Sequence, residues 1–294
     1  MVVTAAWLVG GAGTSYLLKL DADWVRVHNP GERLAPIDDP TWTALSDHLA
    51  LLGKGEPLLA PAFEKFRSHA SMESAMASLL SEKLADRLVG PLVLEELLVE
   101  AFREPSVGAS MRRDLNAVVQ RDPAAGGPAI PFLFFKGFQG LQSYRAAHFY
   151  WSHGRDLLAR HLQSRVSEVF AMDIHPAARI GSGILIDHGT SVVIGETAVV
   201  GDDVSMLHEV TLGGTGKEVG DRHPKVGNGV LLGAGTKVLG NVRIGDGSKV
   251  GAGSVVLAEV PEHTTVVGVP ARPVSRNRGI DPALLMDQLI EEGF

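Results

Sequence analysis

The sequence predicts an α+β protein: an N-terminal α-helical domain followed by a left-handed parallel β-helix of hexapeptide repeats. Three observations carry that expectation. From Asp173 onward, aliphatic residues recur every six positions. Glycine is concentrated in the same stretch, with 18 of the chain's 34 lying between Gly181 and Gly253. Upstream, between Thr41 and Phe170, apolar residues recur at helical spacing instead.

Residues 1–40 read as a leader of unknown role. The segment Met1–Leu20 is apolar, but Gly10, Gly11 and Gly13 break it and it lacks a basic start, which argues against a membrane span. The Gly10-Gly11-Ala12-Gly13 run follows no clear strand and is no dinucleotide fingerprint. The expectation is a loosely packed terminus, with a residual organelle-targeting segment as the alternative.

Residues 41–170 read as an α-helical oligomerisation domain. Trp42, Leu45, Leu49 and Leu52 form one stripe, and Leu94, Leu97, Leu98 and Phe102 another. Ser71 with Ala75, Leu79 and Leu80 marks a further helix, and Ala147, Trp151, Leu157 and Leu158 a later pair. Pro57, Pro91, Pro105, Pro123 and Pro131 fall where helices start or stop. Such stripes face a core, and no chemistry is assigned to them.

Residues 171–275 carry the repeat. One register runs Ile174, Ile180, Ile186; a second Ile194, Val200, Met206, Leu212; a third Val226, Leu232, Val238, Ile244, Val250, Val256. Four residues after the aliphatic comes a small or branched residue, such as Ala178, Thr190, Ala198, Val204, Thr236 or Ser254. A period of six matches neither the 3.6 of a helix nor the 2 of a plain strand. It fits a coil of three short strands, each hexapeptide forming one side, with glycine permitting the turns. The register slips by two residues near His188, and again in the polar, glycine-rich segment between Leu212 and Val226, which should leave the scaffold as a loop. In the tail, residues 276–294, Asp281-Pro282 reads as an N-cap and first position of a helix running through Leu285 and Leu289.

Composition limits the chemistry. A chain of 294 residues suggests two domains, and a net charge of −7 argues against a nucleic-acid partner. The absence of cysteine removes disulfides, thiolate metal sites and a cysteine nucleophile. Five histidines, His175, His188, His208, His223 and His263, lie in the repeat region, but without a standard zinc spacing, so no metal is expected.

His188 sits at the first slip beside Asp187, and imidazole suits proton transfer near neutral pH. Asp173 precedes His188 by fifteen residues, against about eighteen in one coil. The two can therefore sit near one corner as a base and its orienter, although Asp173 also suits a mere helix-to-coil boundary. Arg222 and His223 close the excluded loop opposite glycines whose N–H groups could approach an anion. Lys217, Lys225, Lys237, Arg243 and Lys249 supply local positive charge on an acidic chain, suited to a polyphosphate cofactor.

Together, Asp173-Ile174-His175-Pro176-Ala177-Ala178, Asp187-His188-Gly189, Ile194-Gly195-Glu196-Thr197-Ala198, Thr211 through Lys217 and Asp221-Arg222-His223-Pro224-Lys225 resemble the serine O-acetyltransferases, the first committed enzymes of cysteine synthesis. Arg121-Asp122-Pro123, Lys136-Gly137-Phe138 and Leu141-Gln142-Ser143-Tyr144-Arg145 match the helical domain of that family. The resemblance covers about residues 41 to 275. It implies His188 as general base, Asp173 as its orienting partner, Asp122 and Asp187 on the serine ammonium, and Arg222 with His223 on the carboxylate. It places coenzyme A at Gly214, Thr215, Ala234 and Lys249, with acetyl-CoA as co-substrate and no metal.

The resemblance further implies a homotrimer or dimer of trimers and feedback inhibition by L-cysteine. It implies a cytoplasmic location, with the plastid stroma as alternative. Members of the family often end in isoleucine, which enters the active site of O-acetylserine sulfhydrylase; this chain ends in Phe294, so weak or absent docking is expected. No membrane or nucleic-acid partner is expected. Two rivals remain: an O-acetyltransferase of the same fold acting on a sugar or other small alcohol, and a non-catalytic scaffold regulating a sulfhydrylase.

Overall fold

The computed structural model describes residues 16–20, 23–27, 39–216, 219–277, 279 and 281–290. The chain divides into two compact units, Met1–Pro40 and Thr41–Phe294. In the first, Tyr16–Leu20 and Asp23–Val27 pair as an antiparallel hairpin, where the sequence suggests only a loose leader. Residues 1–15, 21–22 and 28–38 of that leader, Lys217 in the excluded loop and the terminal Phe294 lie outside the described residues.

Among the described residues eight helices come before the repeats: α1 (Pro40–Gly55), α2 (Ala60–Arg67), α3 (Met72–Leu84), α4 (Pro91–Phe102), α5 (Pro105–Arg121), α6 (Ala129–Phe134), α7 (Lys136–Ser152) and α8 (Asp156–Phe170). Ser71 caps α3 through its hydroxyl, which accepts from Ser74 N–H, and Ser74 returns the bond, a reciprocal capping box. Pro91 and Pro105 open α4 and α5, where a missing N–H costs nothing. The stripes read from sequence are buried at Leu45, Leu49, Leu94, Leu98 and Phe102. Leu157 is the exception: it opens α8 and points to solvent, 86% exposed.

A buried ion pair ties the helices to the first coil. The Arg145 guanidinium donates to both oxygens of Asp114 at 2.8 and 3.0 Å and to the Gly181 carbonyl at 2.7 Å. Gln142 Nε2 and the Ile184 backbone N–H complete the Asp114 shell, each at 3.0 Å. Thus α5, α7 and the turn at 181–184 share one charge cluster, which fixes where the β-helix begins.

The β-helix has three parallel faces. Face 1 stacks Met172–Ile174, Val192–Ile194, Thr211–Gly213, Lys237–Leu239 and Val255–Val256. Face 2 stacks Arg179–Ile180, Val199–Val200, Lys225–Val226 and Arg243–Ile244. Face 3 stacks Leu185–Ile186, Ser205–Met206, Leu231–Leu232, Lys249–Val250 and Thr264–Gly268, with Ala271–Arg276 folded back antiparallel at its edge. Twelve of the thirteen aliphatics read as inward-facing are buried, and Ile180 is partly so.

Pairing along face 1 measures each coil: Ile174 to Ile194 is 20 residues, Ile194 to Leu212 is 18, Leu212 to Val238 is 26 and Val238 to Val256 is 18. The first slip therefore adds two residues and the second eight. The two extra residues put Thr190 on the outside; Val192 takes the inward position instead.

The C-terminal helix is shorter than the sequence suggests. It spans only Pro282–Leu285, and Asp281 makes no side-chain cap bond. Met286 adopts φ 52°, which ends the helix, and Lys249 Nζ then holds the carbonyls of Asp287 (3.3 Å) and Leu289 (2.6 Å) in an extended tail.

Candidate active site

Except for Asp122 and Lys249, the expected site residues collect at two corners of the triangular coil and on face 1 between them. Asp187 and His188 turn from face 3 to face 1. His188 has φ 58°, a left-handed conformation that is unfavourable for a residue with a Cβ. The N-terminus of α7 backs this turn. A Cβ on Gly137 would lie 2.0 Å from the Ile186 carbonyl oxygen, so only glycine allows the approach. Lys136 Nζ donates to Thr190 Oγ1 at 2.5 Å. The His188 ring is open to solvent, with Nε2 3.9 Å from Asp187 Oδ1. His208, one coil later, packs against it edge to face at 5.6 Å between ring centres.

The second corner turns from face 1 to face 2 and holds Arg222 and His223. Arg222 Nη2 lies 2.7 Å from Glu196 Oε2. Thr197 Oγ1 accepts the backbone N–H of both Arg222 (3.0 Å) and His223 (3.1 Å). The Thr197 backbone N–H donates to His223 Nδ1 at 3.1 Å, so that nitrogen is an acceptor and the proton sits on Nε2. The ring rests on Gly195, whose Cβ would lie 2.1 Å from it. Burial holds the His223 pKa below the usual imidazole range, and the Arg222 guanidinium acts the same way. The hydrogen bond from Arg222 holds the Glu196 carboxyl below its usual range. His175 packs edge-on against Trp151 at this corner and is likewise held low by burial.

Asp173 lies exposed on face 1. Its Oδ1 accepts from Gln163 Nε2 of α8 at 2.7 Å. Among the described residues no hydrogen bond joins Asp173 to His188. Asp122 is the C-cap of α5, and its Oδ1 accepts from Ala124 N–H at 2.8 Å. Gly214 borders Arg222 and His223, and Thr215 begins the excursion beside Gly240. Ala234 lies at the corner of His188, two coils on, and Lys249 lies on face 3 under the tail. One protomer therefore unites Asp187 with His188, and Arg222 with His223 and Gly214, but keeps the two groups apart. Glu196, Thr197 and His208 had no role in the sequence reading. The first two were findable: Arg222 follows Glu196, and His223 follows Thr197, by 26 residues, the length of the enlarged coil.

Among the described residues no group of three or more histidine, aspartate and glutamate side chains could hold a metal ion, and no helix is long and apolar enough to cross a membrane.

A hexapeptide-repeat β-helix with an exposed imidazole at one corner and an arginine-lined, glycine-bordered corner opposite defines an acyltransferase of the hexapeptide class. Comparison with known proteins narrows the class. The family model "Serine acetyltransferase, N-terminal" matches residues 41–143, and "Bacterial transferase hexapeptide (six repeats)" matches 223–258. Serine acetyltransferase 1, chloroplastic, of Arabidopsis thaliana is 51% identical over 258 residues, 85% of this chain and 82% of that protein. Serine acetyltransferase of Escherichia coli K12 is 47% identical over 249 residues, 84% of this chain and 91% of that one. The crystal structure of serine acetyltransferase from Vibrio cholerae superposes with a TM-score of 0.83 at 47% identity, covering 85% of this chain and 97% of the other. The chain belongs to the serine acetyltransferase family.

Proposed function

We infer that this chain transfers the acetyl group of acetyl-CoA to the hydroxyl of L-serine, giving O-acetyl-L-serine and coenzyme A, in cysteine biosynthesis. The observation that carries the reading is an exposed imidazole, His188, and a clamped guanidinium, Arg222, at the two corners that bound face 1 of this family's β-helix. Relatives support the ligands: a soybean serine acetyltransferase has been solved with serine, another family member with cysteine and one from Brucella abortus with coenzyme A.

In this reading Arg222 and the His223 Nε2–H hold the serine carboxylate, and Asp122 and Asp187 hold the ammonium. His188 removes the hydroxyl proton as the oxygen attacks the thioester carbonyl, with Asp173 orienting the imidazole. Backbone N–H groups of the glycine-rich loop face the tetrahedral oxyanion. The C–S bond then breaks, and the imidazolium returns its proton to the departing thiolate. Gly214, Thr215, Ala234 and Lys249 serve coenzyme A. A phosphate reaching Lys249 competes with the tail carbonyls now bonded to it.

The active unit is a homo-oligomer, a trimer or a dimer of trimers. Its support is topological. His188 and Arg222 lie at opposite edges of face 1, one hexapeptide side of about 20 Å apart at most, whereas serine is only a few atoms long. Packing copies around a threefold axis sets the His188 edge of one against the Arg222 edge of the next. L-Cysteine, with the same ammonium and carboxylate, fits the same pocket as an inhibitor competitive with serine.

The test is an acetyl-transfer assay, read by thiol release, with L-serine, L-homoserine and several sugars. Selective turnover of L-serine supports the reading; turnover of a sugar with none of serine overturns it.

A further inference from the structure

We propose that Gln163 is a positioning residue that locks the Asp173 carboxylate in the rotamer from which it orients the catalytic imidazole. The proposal rests on the reading of Asp173 as the partner of His188.

The chain makes a sharp reversal to bring Gln163 and Asp173 together. Helix α8 ends at Phe170, Ala171 takes φ 55°, and Met172–Ile174 runs back as the first strand of face 1. A non-glycine residue in that conformation persists only where its surroundings fix it. Here the Ala171 N–H is held by the Ser167 carbonyl, and the Ala171 carbonyl accepts Ser191 N–H at 2.7 Å. The reversal thus sets the register between α8 and the strand, with Gln163 opposite Asp173.

One face of α8 reads onto that strand at two points. Arg160 and Gln163 are three apart and share a helical face. The Arg160 guanidinium lies over the Trp151 ring, 5.0 Å from its centroid, and Trp151 meets His175 edge-on at 5.2 Å. Gln163 Nε2 donates to Asp173 Oδ1 at 2.7 Å. His148 Nδ1, 2.7 Å from the Pro176 carbonyl oxygen, and Tyr144, which donates to the Ala178 carbonyl at 2.5 Å, extend the same fastening along the segment. Residues 173–178 are therefore held from outside by side chains of α7 and α8, and Gln163 is the member that touches the carboxylate itself.

The chemistry suits the role. Aspartate on an exposed strand face turns freely about two bonds. A neutral amide donor fixes one oxygen without neutralising the charge, and leaves Oδ2 for the imidazole. A lysine or arginine there would compete with the imidazolium for the charge; glutamine does not.

The test is steady-state kinetics on Gln163→Leu, Asp173→Asn and the double variant, using the full oligomer. Gln163→Leu is expected to lower kcat about ten- to a hundredfold, the scale of one hydrogen bond to a charged group, with the KM values for serine and acetyl-CoA unchanged. In the Asp173→Asn background the same change should cost less than twofold. Gln163→Glu gives a second readout that a purely structural role would not move. Its two facing carboxylates share a proton, so its activity relative to the parent enzyme should rise as pH falls and the donor is restored. An equal loss from Gln163→Leu in both backgrounds overturns the proposal. So does an unchanged kcat in Gln163→Leu while Asp173→Asn is impaired. If Asp173→Asn itself is unimpaired, the assignment of Asp173 fails first and the proposal goes with it.

Discussion

Glu196 Oε2 lies 2.7 Å from Arg222 Nη2, across one full coil of the β-helix and at the far end of an eight-residue excursion. A mobile loop would hold its arginine loosely; this one is tied back to the scaffold at its exit. Removing the tie should therefore show in substrate binding. Glu196→Gln is expected to raise the serine KM about tenfold, one lost charge-assisted hydrogen bond, with kcat changed less. Steady-state kinetics with serine varied at saturating acetyl-CoA checks it.

The pH dependence of that clamp follows from its sign. The Glu196 carboxyl is held below its usual range by Arg222, so the clamp is intact above the ordinary glutamate range and is lost as pH falls through the lowered value. The His223 imidazole is also held low, chiefly by burial, so it stays neutral through neutral pH with Nδ1 accepting from Thr197. Protonating it removes that acceptor. Its contribution to stability is fully present above the ordinary imidazole range. It falls as pH drops through that range and levels off below the lowered value. NMR titration of the His223 ring should report an apparent pKa below that of an unstructured histidine.

Gly195→Ala should act on the same corner by shape. Its Cβ would lie 2.1 Å from the His223 ring, closer than any real contact. The ring must swing out, so the serine KM should rise while the KM for acetyl-CoA changes little. Kinetics with each substrate varied in turn separates the two.

Stability should depend on Asp114, which is held at the turn from face 2 to face 3. It is fully buried and shared by Arg145, Gln142 and the Ile184 N–H. Asp114→Ala leaves a buried guanidinium without its charge partner and should cost about 3–5 kcal/mol. Denaturant unfolding, compared with the parent protein, measures it.

The split between the two corners predicts complementation. His188→Ala and Arg222→Ala chains, each inactive or nearly so alone, should regain activity when mixed under conditions that exchange subunits, because some interfaces then pair two intact edges. No recovery at all from fully exchanged mixtures would place both residues in one protomer's site.

Much of this architecture was legible in the residues. The six-residue period gave the inward positions, because only a three-sided coil returns a side chain to the same face at that spacing. The slips marked both corners. What was hidden depends on coil length and on tertiary contact. The spacing from Leu212 to Val226 left the size of the excursion open between two and eight residues, and with it the partnership of Glu196 and Thr197 with Arg222 and His223. Leu157 reads as core by period, yet it opens α8 and faces solvent. The final helix stops at Leu285, where Met286 turns left-handed, and Lys249 then holds the carbonyls that follow, a contact between residues 40 apart in sequence that no local pattern records. The bond from Gln163 to Asp173 follows from the left-handed turn at Ala171, which alanine does not announce.

The central claim is that His188 is the base that activates serine, and the kcat of His188→Ala measures it most directly. The account predicts a fall of about 10²–10⁴, the usual share of general acid–base catalysis. The serine KM should stay within a few-fold, because Asp122, Asp187 and Arg222 still hold the substrate's charges. Adding Asp173→Asn should cost little more, since residues acting as one unit are not additive. An unchanged kcat in His188→Ala would contradict the account and move the base to another imidazole, with His223 the first to test.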